Sequence, residues 1–180
     1  MLLASAVAAL ALAAGSVQAQ QPAAPTNQTQ TADKDSQSFI KTAIEGNIAE
    51  VNVGKLALEK GKNPAVKKFG QMLIDDHSKA NEKAKSAATS VGVEPPTSSS
   101  LMEKGTYAKL KILQGGSFDR SFADSMVSDH QSDIKEYEKA SGKADEVGRY
   151  AKEALPTLRT HLQHAQSLQE ELKRQTTGSK

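Results

Sequence analysis

The chain has no cysteine and no tryptophan, and aromatic residues make up only 4% of its 180 positions. Each scarcity removes a class of chemistry. Without thiolates there are no disulfides, no zinc–thiolate sites, no cysteine nucleophile and no anchor through a lipidated cysteine. So few rings leave no base-stacking platform and no aromatic floor for a sugar. An excess of one charge is also missing. The 23 Lys and Arg are interspersed with 21 Asp and Glu, for a net charge of +2, which is no electrostatic footprint for nucleic acid. "GKNPAVK" lacks the spacing of a phosphate loop, and no strained nucleophile elbow is in view. No ten-residue alternation announces barrel strands.

What the chain does contain is helix-forming: Ala, Lys, Glu, Leu and Gln are abundant. "MLLASAVAALALAAGSVQAQ" is apolar, small and uncharged. It predicts a secretory signal peptide over residues 1–20, too short and Ala-rich for a membrane span. The expected address is the periplasm, with association to the outer membrane left open and no transmembrane span in the mature chain. Residues 21–36, rich in Pro, Thr and Gln, read as a disordered linker. Residues 175–180 read as a frayed tail.

Between them, over residues 37–174, the apolar period is helical. A first helix is expected from about Ser36 to Lys60, ended by Gly61. A second starts near Pro64, and its seam runs Val66, Gly70, Leu73, His77, Ala80, Ala84. Ser100 and Glu103 form a capping box for a short helix up to about Leu113. A further long helix covers about Ser117 to Ala140, with Ala123, Val127, His130, Ile134 and Tyr137 inward. The last covers about Asp145 to Arg174, with Leu158, His161, Ala165 and Leu168 inward and Pro156 inside it. The expected fold is therefore all-α. It is a four-helix bundle of two helical hairpins, joined by a longer connection that carries an extra short helix.

Two stretches echo each other: "FGQMLIDDH" from Phe69 to His77, and "FADSMVSDH" from Phe122 to His130. The two hairpins also align on their turns at an offset of 81, which sets Gly61 on Gly142 and Phe69 on Tyr150. Carried into the first helix, that offset brings Glu50 within a residue of His130. Around Glu50 the face is small (Ala43, Gly46, Gly54 and Ala57), which invites close helix approach.

The chain resembles the bacterial ferritin-like "domain of unknown function 4142" family, whose members are often labelled predicted outer-membrane proteins. The likeness rests on "FIKTAIEGNIAEVNVGKLALEKGKNPAVKKFGQMLIDDHSKAN", "FDRSFADSMVSDH" and "LPTLRTHLQHA". It implies an exported ferritin-like bundle and no particular activity.

Bundle cores are where facing helices build metal sites, so Glu50, His77, His130 and His161 form a candidate set for one transition metal ion, Fe, Zn, Cu or Mn. The di-iron signature is absent, because Ile74, Val127 and Leu158 stand where Glu would precede each histidine by three. The competing reading is a buried polar cluster of the histidines, Glu50 and Asn47 that fixes helix register and needs no cofactor. Asp76 and Asp129 are expected to pair with neighbouring helices rather than with their own histidines, and His164 to lie on an exposed flank. No constellation for a hydrolase or oxidoreductase is found. The sequence thus points to a non-enzymatic envelope protein of binding, interaction or stress-related role, with an envelope protein or a second copy as partner. The alternative is a metal-binding bundle protein.

Overall fold

The structure, a computed structural model, describes residues 33–177. Five helices lie in them: α1 (Lys34–Lys60), α2 (Pro64–Ser90), α3 (Leu101–Lys111), α4 (Gly115–Ala140) and α5 (Glu146–Thr177). There is no strand among the described residues. The expected signal peptide, the linker up to residue 32 and the tail from 178 fall outside the described residues.

Four expected boundaries move by two or three residues: α3 ends at Lys111 rather than Leu113, α4 begins at Gly115 rather than Ser117, and the outer ends of α1 and α5 lengthen. α1 begins inside the stretch read as linker, because Asp33 caps it, accepting from the Asp35 N–H at 3.2 Å, and Asp35 suits the positive end of the helix dipole. At the other end α5 continues through Gln175 to Thr177, so half of the expected tail is helical. Elsewhere local chemistry does what the sequence predicts. Asn63 caps α2 with Pro64 in its first turn. Ser100 and Glu103 satisfy each other's backbone N–H in a complete capping box.

α1 and α2 form one hairpin and α4 and α5 the other; the hairpins pack so that α2 meets α5 and α1 meets α4, while α3 lies against α1. The first hairpin is closed tightly at Gly54 and Gly70. A Cβ on Gly54 would stand 2.6 Å from the Gly70 carbonyl oxygen, and one on Gly70 would stand 2.7 Å from the Ala57 Cβ. The small face of α1 therefore permits the close approach expected of it. Gly61 ends α1 for the same steric reason. Its φ is −59°, open to any residue, but a Cβ there would meet the Ala57 carbonyl oxygen at 2.6 Å. Buried Asp119 on α4 accepts the backbone N–H groups of Lys62 and Asn63, both at 2.9 Å, and so ties the α1–α2 turn to the second hairpin.

The apolar core comes in two clusters. One, around Ile40, Ile44, Ala87, Tyr137, Val147 and Leu158, fills one end of the bundle. The other, around Leu56, Phe69, Leu73, Phe118, Phe122 and Met126, fills the opposite end. Each large side chain fully buried there stabilises the fold by about 1.5–3 kcal/mol. Between the clusters lies a layer of buried polar residues: Asn47, Glu50, His77, His130 and His161.

Candidate metal centre

Three of the four residues singled out in the sequence come together. His77, His130 and His161 are all buried, and each offers one ring nitrogen within 4.8 Å of the others'. They descend from three helices, because each occupies the inward seam of its own helix at the same level of the bundle. Glu50 does not join them. The residue of α1 at that level is Asn47, whose Oδ1 lies 2.9 Å from His77 Nδ1. Glu50 sits three residues further on, about 4.5 Å along the helix axis. The offset of 81, taken from the turns, misplaced it. At mid-helix the offset is 84 between His77 and His161, and 83 between Asn47 and His130.

The hydrogen bonds settle which nitrogen carries each proton. His130 Nδ1 lies 2.9 Å from the Met126 carbonyl oxygen, which can only accept, so Nδ1 donates. His77 Nδ1 donates to Asn47 Oδ1; Asn47 is oriented in turn by donating from Nδ2 to the Tyr150 hydroxyl at 3.0 Å, which meets the Tyr137 hydroxyl at 3.2 Å. His161 Nε2 donates to Asp76 Oδ2 at 3.1 Å. Asp76 thus pairs across to α5 rather than with its own neighbour His77, as expected. With those protons assigned, His130 Nε2 and His161 Nδ1 face each other as bare lone pairs 3.3 Å apart. His77 Nε2 is buried with no partner.

Burial holds His77 well below the usual histidine range and takes His130 down to about 4; it also lowers His161, although Asp76 beside it pulls the other way. All three are neutral imidazoles at pH 7. Phe69 closes one side of the cluster, its ring centroid 6.0 Å from that of His161 and 6.5 Å from that of His130. His164 is exposed, as expected.

Glu50 belongs to a second group. Burial, then Asp129, Asp133 and Glu103, push its carboxyl well above the usual range, and Oε2 has no hydrogen-bond partner. Burial and neighbouring carboxyls likewise raise Asp129 to about 6 and Asp133 to about 7.

The profile of the family described as Domain of unknown function (DUF4142) matches residues 20–168. This chain belongs to that family. No curated protein matches this DUF4142 chain. Among solved structures, the crystal structure of a DUF305 fragment from Deinococcus radiodurans is similar. Its TM-score is 0.67 at 15% identity, and the match covers 79% of the DUF4142 chain and 97% of the fragment. At that identity the likeness concerns the fold, a helical bundle, and nothing finer.

Sequence reasoning did not single out Tyr137, Tyr150 or the Met126 carbonyl as partners of the centre. Tyr137 stood on an inward seam, and Tyr150 was aligned with Phe69. A hydroxyl on such a position has to find a partner when buried, and that was the signal available.

Proposed function

We propose that this protein binds one transition metal ion through His77 Nε2, His130 Nε2 and His161 Nδ1, inside an exported bundle of the cell envelope. A single observation carries the reading: three imidazole lone pairs converge while every opposite ring nitrogen donates to a fixed acceptor. That is the outer shell that orients metal-bound histidines, here a carboxylate, a backbone carbonyl and a side-chain amide. The 3.3 Å between His130 Nε2 and His161 Nδ1 is about the spacing of two nitrogens on a tetrahedral ion with bonds of about 2.0–2.1 Å. Neutral imidazoles without a converging carboxylate favour zinc or copper over manganese. Three protein ligands leave a fourth position for water or a small molecule. The N-terminal twenty residues support export.

A second reading makes the layer purely structural, a polar register device. The Asn47–Tyr150–Tyr137 chain favours it, but it gives no partner to His77 Nε2 and leaves two lone pairs opposed.

The test is direct. The mature chain, purified from cells, is analysed for bound metal and then melted with and without added zinc, copper, iron and manganese. About one equivalent of metal, and a melting temperature raised by it, is expected. His77→Ala and His130→Ala should lose both. A metal-free wild type that no added ion stabilises would overturn the reading.

A further inference from the structure

Two cavities reach the polar layer, and their charges differ. The smaller, about 210 Å³, opens between α2 and α5 and is lined by Asp76, Lys79, Lys83 and Glu153 beside His77 and His161. Those charges cancel in pairs, Lys83 with Glu153 at 3.1 Å and Lys79 with Asp76 at 4.0 Å. The larger, about 340 Å³, opens between α1 and α4 and runs past Glu103, Asp133 and Glu136 to Asn47 and His77. Its lining also holds two lysines, Lys139 and Lys143, the latter engaged by Asp33 and Asp35, against the carboxyls of Asp35, Glu103, Asp133 and Glu136. Neither Asp133 nor Glu136 is held in an ion pair among the described residues.

One unpartnered buried atom marks where this acidic cleft leads. His77, 4% exposed, lines the cavity and has a free Nε2. A hydrated divalent cation is the ligand this sequence of groups suits. Carboxylates in a low-dielectric cleft raise the local concentration of cations and their arrival rate by about 10–1,000-fold. Oxygen ligands also accept an ion that still holds its water, before imidazole nitrogens take it.

Resting on the metal-centre reading, we propose that the cavity between α1 and α4 is the loading route of that centre. Glu103, Asp133 and Glu136 draw a divalent cation in, and it reaches His77. It is a route rather than a second resting site: among the described residues, the side chains that converge closely enough to chelate are the three histidines, not the carboxyls.

The test loads the metal-free full chain with Co²⁺ in a stopped-flow instrument, following the visible absorption of nitrogen-bound cobalt. Affinity is measured separately by competition with a chelator. The double variant Asp133→Asn/Glu136→Gln should load at least about tenfold more slowly, lose most of the salt dependence of the rate, and keep its equilibrium affinity within a few-fold. Glu153→Gln, in the other cavity, should load like the wild type. Circular dichroism establishes that both variants fold. A wild type that binds cobalt, but loads at the same rate in the double variant, overturns the route and leaves the centre standing. So does a double variant that loads normally but releases faster, since the acids would then be ligands. A wild type that binds no cobalt at all overturns both.

Discussion

Three histidines and a group of carboxyls occupy the middle of one bundle, the histidines level with Asn47 of α1 and the carboxyls gathered around Glu50 one helical turn further on, and their polar atoms are satisfied in opposite ways. On the imidazole side each ring has an acceptor for its proton, at 2.9–3.1 Å. On the carboxyl side Glu50 has a buried oxygen with no partner and three acidic neighbours. The difference is chemical. A neutral imidazole carries one donor and one acceptor, so it can be held firmly at one nitrogen and still present a lone pair at the other. A carboxylate only accepts, and among other carboxylates it must hold a proton or a cation.

The comparison breaks most sharply at the ligands. His130→Ala should weaken metal binding by at least about 100-fold, measured by titration calorimetry, whereas Glu50→Gln should leave it within a few-fold. Equal losses would place Glu50 in the coordination sphere. Next in size is Asp76→Asn, which keeps the shape but removes the carboxylate that orients His161. A loss of about 10–100-fold is expected, and wild-type affinity in that variant would make the Asp76–His161 contact incidental.

The two groups also oppose each other in pH. His130 is depressed to about 4 in the folded chain, so its contribution to metal-free stability is complete above about 6.5 and is lost as pH falls through about 4. Asp133 is raised to about 7. Its contribution is complete below about 4 and is lost as pH rises through about 7. Between about 4 and 6.5 the two contributions change in opposite directions and largely offset, so this pair gives the urea midpoints of the metal-free chain little net pH dependence there. Asp133→Asn removes the falling contribution, so the stability read from its midpoints should rise relative to the wild type's as pH goes from about 4 to about 7, by about 1–2 kcal/mol after allowance for the partial exposure of the side chain. The smallest effect belongs to the hydroxyl behind Asn47. Tyr150→Phe should lower stability by about 0.5–1.5 kcal/mol and metal affinity only a few-fold, and a larger loss of affinity would show that the orientation of Asn47 governs His77.

The architecture was legible in the sequence because the helices carry their own signals: Pro64 at one start, Ser100 and Glu103 at another, and seams of period 3.5–3.6 between them. The histidines were legible as a set for the same reason, since a costly polar residue stood on the seam of three helices. Glu50 was not. A turn alignment fixes the level of a residue only to within a helical turn, and Asn47 and Glu50 lie on nearly the same face of α1. The partner choices were hidden as well, since Asp76 is bonded to a residue 85 positions away and Met126 takes part through its backbone.

The sequence by itself determined the helices, their inward stripes and the burial of the three seam histidines. Those follow from local propensity, capping and periodicity, which act over a few residues. Only the tertiary structure decided that three imidazoles share one point while Glu50 faces the acids, because levels across a bundle depend on how closely the helices approach at Gly54 and Gly70 and on the tie from Asp119 to the first turn. A displacement of one turn there would exchange Asn47 for Glu50 beside His77 without altering any local signal.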